Sequence, residues 1–180
     1  MPGTATQFFD LFARYGDETY GEDITQRQHA EQTAHRARLA GEGRTLIVAA
    51  LLHDVGQMLD GSGAAAERES RDARHEIAGA AYLEGVFPEA ILAPIRLHVA
   101  AKRYLCRVDP AYLAALSHAS ALSLALQGGP YSPEEAAAFS ALPFAAEAVR
   151  LRRYDDGGKE EGWTVPALES YRALVEAEML

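Results

Sequence analysis

The chain has 180 residues and is 48% hydrophobic, ample for one buried core and short for two domains. Seventeen Lys and Arg against 26 Asp and Glu give a net charge of −9, which argues against a phosphate-tracking nucleic-acid binder or an anionic-membrane binder. Cys106 is the only cysteine, so an intramolecular disulfide and a cysteine-based zinc site are excluded, and a reducing cytoplasm is the expected setting.

Residues 1–9 lack the basic start and apolar run of a targeting segment. The longest apolar stretch, 46–52, is far shorter than the roughly 20 residues that span a bilayer. Along the chain nearly every segment reads at helical period. Phe8, Phe9, Leu11, Phe12 and Tyr15 give a first helix one apolar face. A second is expected over 25–39, stopped by Gly41 and Gly43. Residues 44–53 are apolar nearly all round, the pattern of a helix inside the core, and Gly56 reads as its C-terminal cap. Residues 57–69 read as a loop, with Asp60-Gly61-Ser62-Gly63 the best place for a mobile flap. Further helices are expected over 71–86 and 88–102, where Pro94 removes one hydrogen bond and is expected to kink the chain before His98. One helix is expected over 110–126. Ser132-Pro133-Glu134-Glu135 is a strong start signal for the next. Helices over 143–154 and 166–180 follow, with a short hairpin conceivable over 157–165. The expectation is a single all-α domain, 1–180.

Four of the six histidines, His29, His53, His75 and His98, fall one apiece on four successive expected helices. Such a distribution lets ring nitrogens converge inside a bundle. His53-Asp54 is the sharpest feature. It ends a buried apolar helix, where an unpaired carboxylate is expensive and the helix dipole disfavours an anion. A metal cation would remove both objections, and the two oxygens of Asp54 can bridge two ions. His35, His118 and Cys106 fit no such pattern and read as structural residues.

The order His29, His53-Asp54, Asp155 resembles the HD-domain superfamily of metal-dependent phosphohydrolases. His75 and His98 look like the extra ligands of its two-metal members, and Arg152-Arg153-Tyr154-Asp155 selects Asp155 over Asp156. His98-Val99-Ala100-Ala101-Lys102-Arg103-Tyr104-Leu105 and Leu126-Gln127-Gly128-Gly129-Pro130 narrow the resemblance to phosphonate-degrading di-iron oxygenases of the PhnZ type, over roughly 19–170. That resemblance implies a Fe(II)/Fe(III) pair held by His29, His53, Asp54, His75, His98 and Asp155, with dioxygen as co-substrate. It implies cleavage of the C–P bond of a 1-hydroxy-2-(amino or trimethylammonio)ethylphosphonate to a carboxylic acid and phosphate. Lys102 and Arg152 would hold the phosphonate, with Ser120 and Gln127 near it. Glu22 and Tyr20 would meet the substrate's cationic tail.

Two positions depart from the common family pattern: Thr19 replaces a tyrosine, and Gln57 replaces the last residue of His-Asp-x-Gly-His. Gln57 can hydrogen-bond at the catalytic site but cannot carry a proton at neutral pH. The same ligand set would also suit a metal-dependent phosphohydrolase acting on a nucleotide or phosphomonoester, or a sensor that binds a phosphorylated ligand. A monomer or homodimer acting on a small organophosphonate is expected.

Overall fold

The computed structural model describes residues 4–19, 23–61 and 74–180. Ten α-helices form among them: α1 Ala5–Tyr15, α2 Gln26–Leu39, α3 Arg44–Leu52, α4 His75–Leu83, α5 Glu89–Val108, α6 Pro110–Ala114, α7 His118–Leu126, α8 Pro133–Ser140, α9 Ala145–Gly157 and α10 Arg172–Ala177. Short 3-10 turns occupy Val55–Gly61 and Leu168–Tyr171. Among the described residues no strand forms, and the β pairing is an isolated bridge between Thr19 and Thr25. The fold is an all-α bundle.

The core is built around α3. Leu46 to Leu52 are all buried, as a helix with no polar face requires. α2, α5 and α9 pack around it. α5 has 20 residues, about 30 Å at 1.5 Å per residue, and carries both His98 and Lys102. It continues through Pro94 as one helix. Phe8, Phe12 and Phe87 close one end of the core, with Tyr171 buried nearby. The starts of α2 and α8 are capping boxes: Thr25 Oγ1 accepts from Gln28 N at 3.2 Å, and Ser132 Oγ accepts from Glu135 N at 3.1 Å.

Several boundaries differ from the expected ones, each for a local reason. Residues 110–126 are two helices, because Ser117 Oγ takes the Ser120 N–H at 3.2 Å and starts a new one. The break lets α6 and α7 turn different faces toward α9. The helix expected over 143–154 starts at Ala145, after Phe144 at φ 63°, and runs on to Gly157, which brings Asp155 into its last turn. No hairpin follows it. Residues 158–163 cross α2 instead, held by Gln32, whose Nε2 donates to Glu160 O at 2.8 Å and whose Oε1 accepts from Glu160 N at 2.9 Å. The closing helix is reduced to a 3-10 turn and α10. Residues 57–61 are helical, and the rest of the expected flap lies outside the described residues.

Gly56 is no helix cap; it is a contact point. A Cβ placed there would stand 2.0 Å from His75 O and 2.8 Å from Gly79 N. The turn after α3 therefore touches the backbone of α4, and this close approach sets His75 beside Asp54. Gly56→Ala is expected to destabilise the protein by about 1–3 kcal/mol, the usual range for overpacking, and to weaken metal retention at His75. Chemical denaturation and metal analysis of the variant check both.

Candidate metal centre

His53 is the first residue past α3 and Asp54 the next. His29 comes from α2, His75 from the start of α4, His98 from the middle of α5 and Asp155 from the last turn of α9. All six side chains meet at one place. His29 Nε2 lies 3.2 Å from His53 Nε2, 3.5 Å from Asp54 Oδ2 and 3.3 Å from Asp155 Oδ1. His53 Nε2 lies 3.5 Å from Asp54 Oδ2 and 3.7 Å from Asp155 Oδ1. On the other side, His75 Nε2 is 3.1 Å and His98 Nε2 3.6 Å from Asp54 Oδ1, and the two nitrogens are 3.2 Å apart. Each oxygen of Asp54 thus faces a different group of donors.

Two observations test whether these residues suit metal ions. First, Asp54 Oδ1, Asp54 Oδ2 and Asp155 Oδ1 are buried and accept no hydrogen bond of normal geometry, a costly state for a carboxylate unless a cation lies against it. Second, three imidazoles are turned by their far nitrogens. Nδ1 faces Gly158 O at 2.7 Å in His29, Ala50 O at 2.8 Å in His53 and Ile95 O at 2.7 Å in His98. A carbonyl can only accept, so each Nδ1 carries the proton and the neutral ring presents a bare Nε2 lone pair to the centre. Lone pairs of His29 and His53 then face each other at 3.2 Å, repulsive unless a cation or proton lies between. Donors bound at about 2.1 Å to one ion stand about 3.0–3.4 Å apart, close to the spacings seen here. The residues fit two ions.

The groups of donors differ in access. His29 and His53 are fully buried, and with Asp54 Oδ2 and Asp155 Oδ1 they offer four ligands. Asp54 Oδ1, His75 and His98 offer three and line a cavity of about 90 Å³. A four-ligand set whose two histidines do not line the cavity, although Asp155 does, suits a resident ion, and the three-ligand set leaves room for a ligand of another kind.

Cationic and polar side chains complete the lining of the cavity. Lys102, Arg152 and Lys159 line it with Ser120, Ser123, Gln57 and Gln127. Lys102 is 2% exposed, and its Nζ donates to Ser123 Oγ at 2.7 Å. Burial, with the neighbouring Arg152 charge, pulls the ammonium down to about 7. Lys159 Nζ donates to Ser120 Oγ at 2.9 Å, and Arg152 Nη1 lies 2.7 Å from Asp155 Oδ2. Gln57 is oriented by Gln26, whose Nε2 donates to Gln57 Oε1 at 3.3 Å. Gln127 Oε1 is buried without a partner. Ser123 and Lys159 were not anticipated. Ser123 is one helical turn after Ser120, a spacing that marks the shared face only once α7 is known to start at His118. Lys159 follows two glycines and had no periodic signal. Tyr20 and Glu22 lie outside the described residues. His118 is exposed at the start of α7, and His35 packs beside Trp163, ring centroids 5.6 Å apart; neither joins the centre. Cys106 is buried as a free thiol.

The comparisons with known proteins agree with this chemistry. The chain is 43% identical over 173 residues to hydroxymethylphosphonate dioxygenase of Gimesia maris, covering 96% of this chain and 86% of that one. The chain belongs to the phosphonate dioxygenase family. A second member, the glycine-betaine-forming [1-hydroxy-2-(trimethylamino)ethyl]phosphonate dioxygenase of Leisingera caerulea, is 41% identical over 167 residues, 92% of this chain and 85% of that one. An uncharacterized protein of Acanthamoeba polyphaga mimivirus, L432, is 34% identical over 169 residues, 92% of this chain and 77% of the viral protein. No protein-family model matches. No helix among the described residues is long and apolar enough to cross a membrane.

With Asp54 between the two donor groups, Asp54→Ala is expected to lose both ions, and His75→Ala mainly the ion beside the cavity. Metal analysis after gel filtration checks this, and full occupancy in Asp54→Ala would contradict the bridge. Removing metal should also change the pH dependence of stability. Without it, burial pushes the His53 ring down, but the Asp54 and Asp155 charges outweigh burial and raise it to about 9. A raised histidine stabilises the fold fully below its unfolded value near 6.5, and that contribution, on the order of 3 kcal/mol, fades as pH rises through 9. Relative to the metal-loaded protein, the chelated protein should therefore lose thermal stability between pH 6.5 and 9; the Lys102 amine, held down at about 7, adds stability as pH rises above 7 in both forms and drops out of the comparison. The metal-loaded protein should not show this loss, because bound metal already requires the neutral ring. Melting curves of both forms across this range decide.

Proposed function

We propose that this chain is a di-iron oxygenase that cleaves the C–P bond of a 1-hydroxyalkylphosphonate. Hydroxyphosphonate and dioxygen would give a carboxylate, inorganic phosphate and one proton, which balances atoms and charge. The observation that carries this reading is the single cavity that joins the open His75/His98 side of the metal centre to Lys102, Arg152 and Lys159. A small dianion next to a metal pair is the ligand such a lining suits, since cationic N–H donors bind phosphonate oxygens through charge-assisted hydrogen bonds. The names of the two relatives support the same substrate class. When bound, the two irons would supply electrons and an open coordination position for dioxygen.

The chain's own residues then have distinct tasks. His29, His53, Asp54 and Asp155 would hold one ion, and Asp54, His75 and His98 the ion beside the cavity. Lys102 and Arg152 would bind the phosphonate oxygens, with Ser120 and Gln127 completing their hydrogen bonds. This fixes carbon 1 and its hydroxyl toward the open side. Gln57, neutral and oriented by Gln26, would orient substrate by hydrogen bonding and would take no proton. Glu22 and Tyr20 would read a cationic tail, amino or trimethylammonio. The protein would work in the cytoplasm as a monomer or homodimer on this small substrate.

The hydrolytic alternative predicts phosphate release from a phosphomonoester without oxygen uptake. Oxygen-electrode and phosphate assays on iron-loaded protein, with hydroxymethyl-, 1-hydroxy-2-aminoethyl- and 1-hydroxy-2-(trimethylammonio)ethylphosphonate, separate the two. Stoichiometric oxygen uptake and phosphate release with at least one of them is the expected result; hydrolysis alone would replace it. Lys102→Ala should raise KM by roughly 10- to 150-fold, the loss of one charged hydrogen bond of about 1.5–3 kcal/mol, with iron content unchanged. Normal KM in this variant would remove Lys102 from the phosphonate site.

A further inference from the structure

Arg152 has five N–H donors, and carboxylates take most of them. Nη1 faces Asp155 Oδ2 at 2.7 Å. Nε faces Asp156 Oδ2 at 3.1 Å, and Nη2 meets Asp156 Oδ1, which completes a bidentate fork. Asp156 in turn accepts a hydrogen bond from Tyr112 Oη at 2.5 Å, and the same hydroxyl accepts from Arg152 Nε at 3.1 Å. Tyr112 belongs to α6, a helix of five residues. Its cap, Asp109, is tied to α9 a second time by Arg153 at 3.2 Å. Neither Asp156 nor Tyr112 lines the cavity; their direct hydrogen bonds toward it run through Arg152, and the Asp156 charge also favours the ammonium form of Lys102.

The charge arithmetic gives this arrangement a purpose. One guanidinium between two carboxylates contributes no net positive charge. Attraction for an anion therefore falls to Lys102 and Lys159, and Arg152 contributes a planar edge held in a fixed orientation beside Ser120, whose Oγ is 3.5 Å from Nη2. Without Asp156, the nearest carboxylate left to the fork is Asp155. A guanidinium that closed bidentately onto Asp155 would turn its edge away from the cavity and compete for an oxygen aimed at the metal centre.

We propose that Asp156 and Tyr112 are positioning residues: by holding the Nε/Nη2 edge of Arg152 they keep its remaining N–H groups available to the phosphonate and keep the guanidinium from closing on Asp155. This rests on the phosphonate reading above. With the chain broken at the Ser117 cap, Tyr112 on α6 meets Arg152 Nε and Ser120 on α7 lies beside Nη2.

A double-mutant cycle tests the proposal on the iron-loaded full chain. Asp156→Asn, Tyr112→Phe, Arg152→Lys and the Asp156→Asn/Arg152→Lys double variant are compared by anaerobic equilibrium binding of hydroxymethylphosphonate, by KM and kcat on the best turned-over phosphonate, and by iron content. Asp156→Asn should weaken binding and raise KM by roughly tenfold, with kcat within about threefold. Tyr112→Phe should do so by about threefold. In the Arg152→Lys background Asp156→Asn should add less than about twofold, because an ammonium cannot form the fork. An undiminished effect in that background, or normal binding by Asp156→Asn, overturns the positioning role. If Asp156→Asn does not fold, Tyr112→Phe in both backgrounds decides by the same criterion. A wild-type protein that binds no phosphonate overturns the phosphonate reading instead, a result distinct from wild-type binding that Asp156→Asn leaves unchanged.

Discussion

A buried carboxylate faced by imidazole nitrogens organises this molecule. Asp54 is 5% exposed, stands just past the C-terminal end of an apolar helix, and neither of its oxygens accepts a hydrogen bond of normal geometry, with imidazole nitrogens against them. Burial alone would raise its pKa, yet the His53 and His75 charges hold it well below the ordinary carboxylate range. An anion so placed destabilises any fold that does not bring cationic charge to it. The surrounding architecture answers that constraint. Four helices deliver imidazoles to it, and in three of them, His29, His53 and His98, the outer nitrogen faces a backbone carbonyl, which aims the inner nitrogen at the same space the carboxylate faces.

The bundle's unusual contacts make sense in this light. Gly56 touches the α4 backbone because His75 must reach an Asp54 oxygen from a separate helix. The chain after α9 lies across α2, clamped by Gln32, because Gly158 O must meet His29 Nδ1. A Cβ on Gly158 would stand 2.3 Å from Thr33 Oγ1, so this crossing requires glycine. These are backbone approaches whose stability derives from the α3 core, and whose effect is to aim side chains.

The cavity lining carries both signs of charge. Carboxylates and imidazoles of the metal centre line it together with Lys102, Arg152 and Lys159. Arg152 sits between Asp155 and the Asp156–Tyr112 pair. Electrostatic pre-organisation of this kind holds charged donors in place before a ligand arrives, so binding does not have to pay for ordering them. Lys102 differs from Arg152. Its amine is buried with a hydroxyl partner and held near 7, so it gains most from an anion that restores its charge.

The amino-acid sequence by itself determined the helical class and the α3 core, since each rests on local information, and with the family resemblance it named the six His and Asp side chains that the structure brings together. The apolar run over 46–52 can only be buried, Ser132-Pro133-Glu134-Glu135 can only start a helix well, and His53-Asp54 at the end of a buried helix calls for a cation. Relations between segments distant in the chain were not legible. Gly56 reads as a cap until α4 is seen against it. Residues 110–126 read as one helix because their apolar period does not reveal that Ser117 caps a new one. Lys159 carries no periodic signal, and Asp156 looks like a discarded alternative to Asp155 until Arg152 is seen between them. Tertiary structure decided these points because they depend on backbone approach and side-chain direction across helices. Periodicity assigns a residue to a face, whereas a cavity is defined by the faces that the packing turns toward one another.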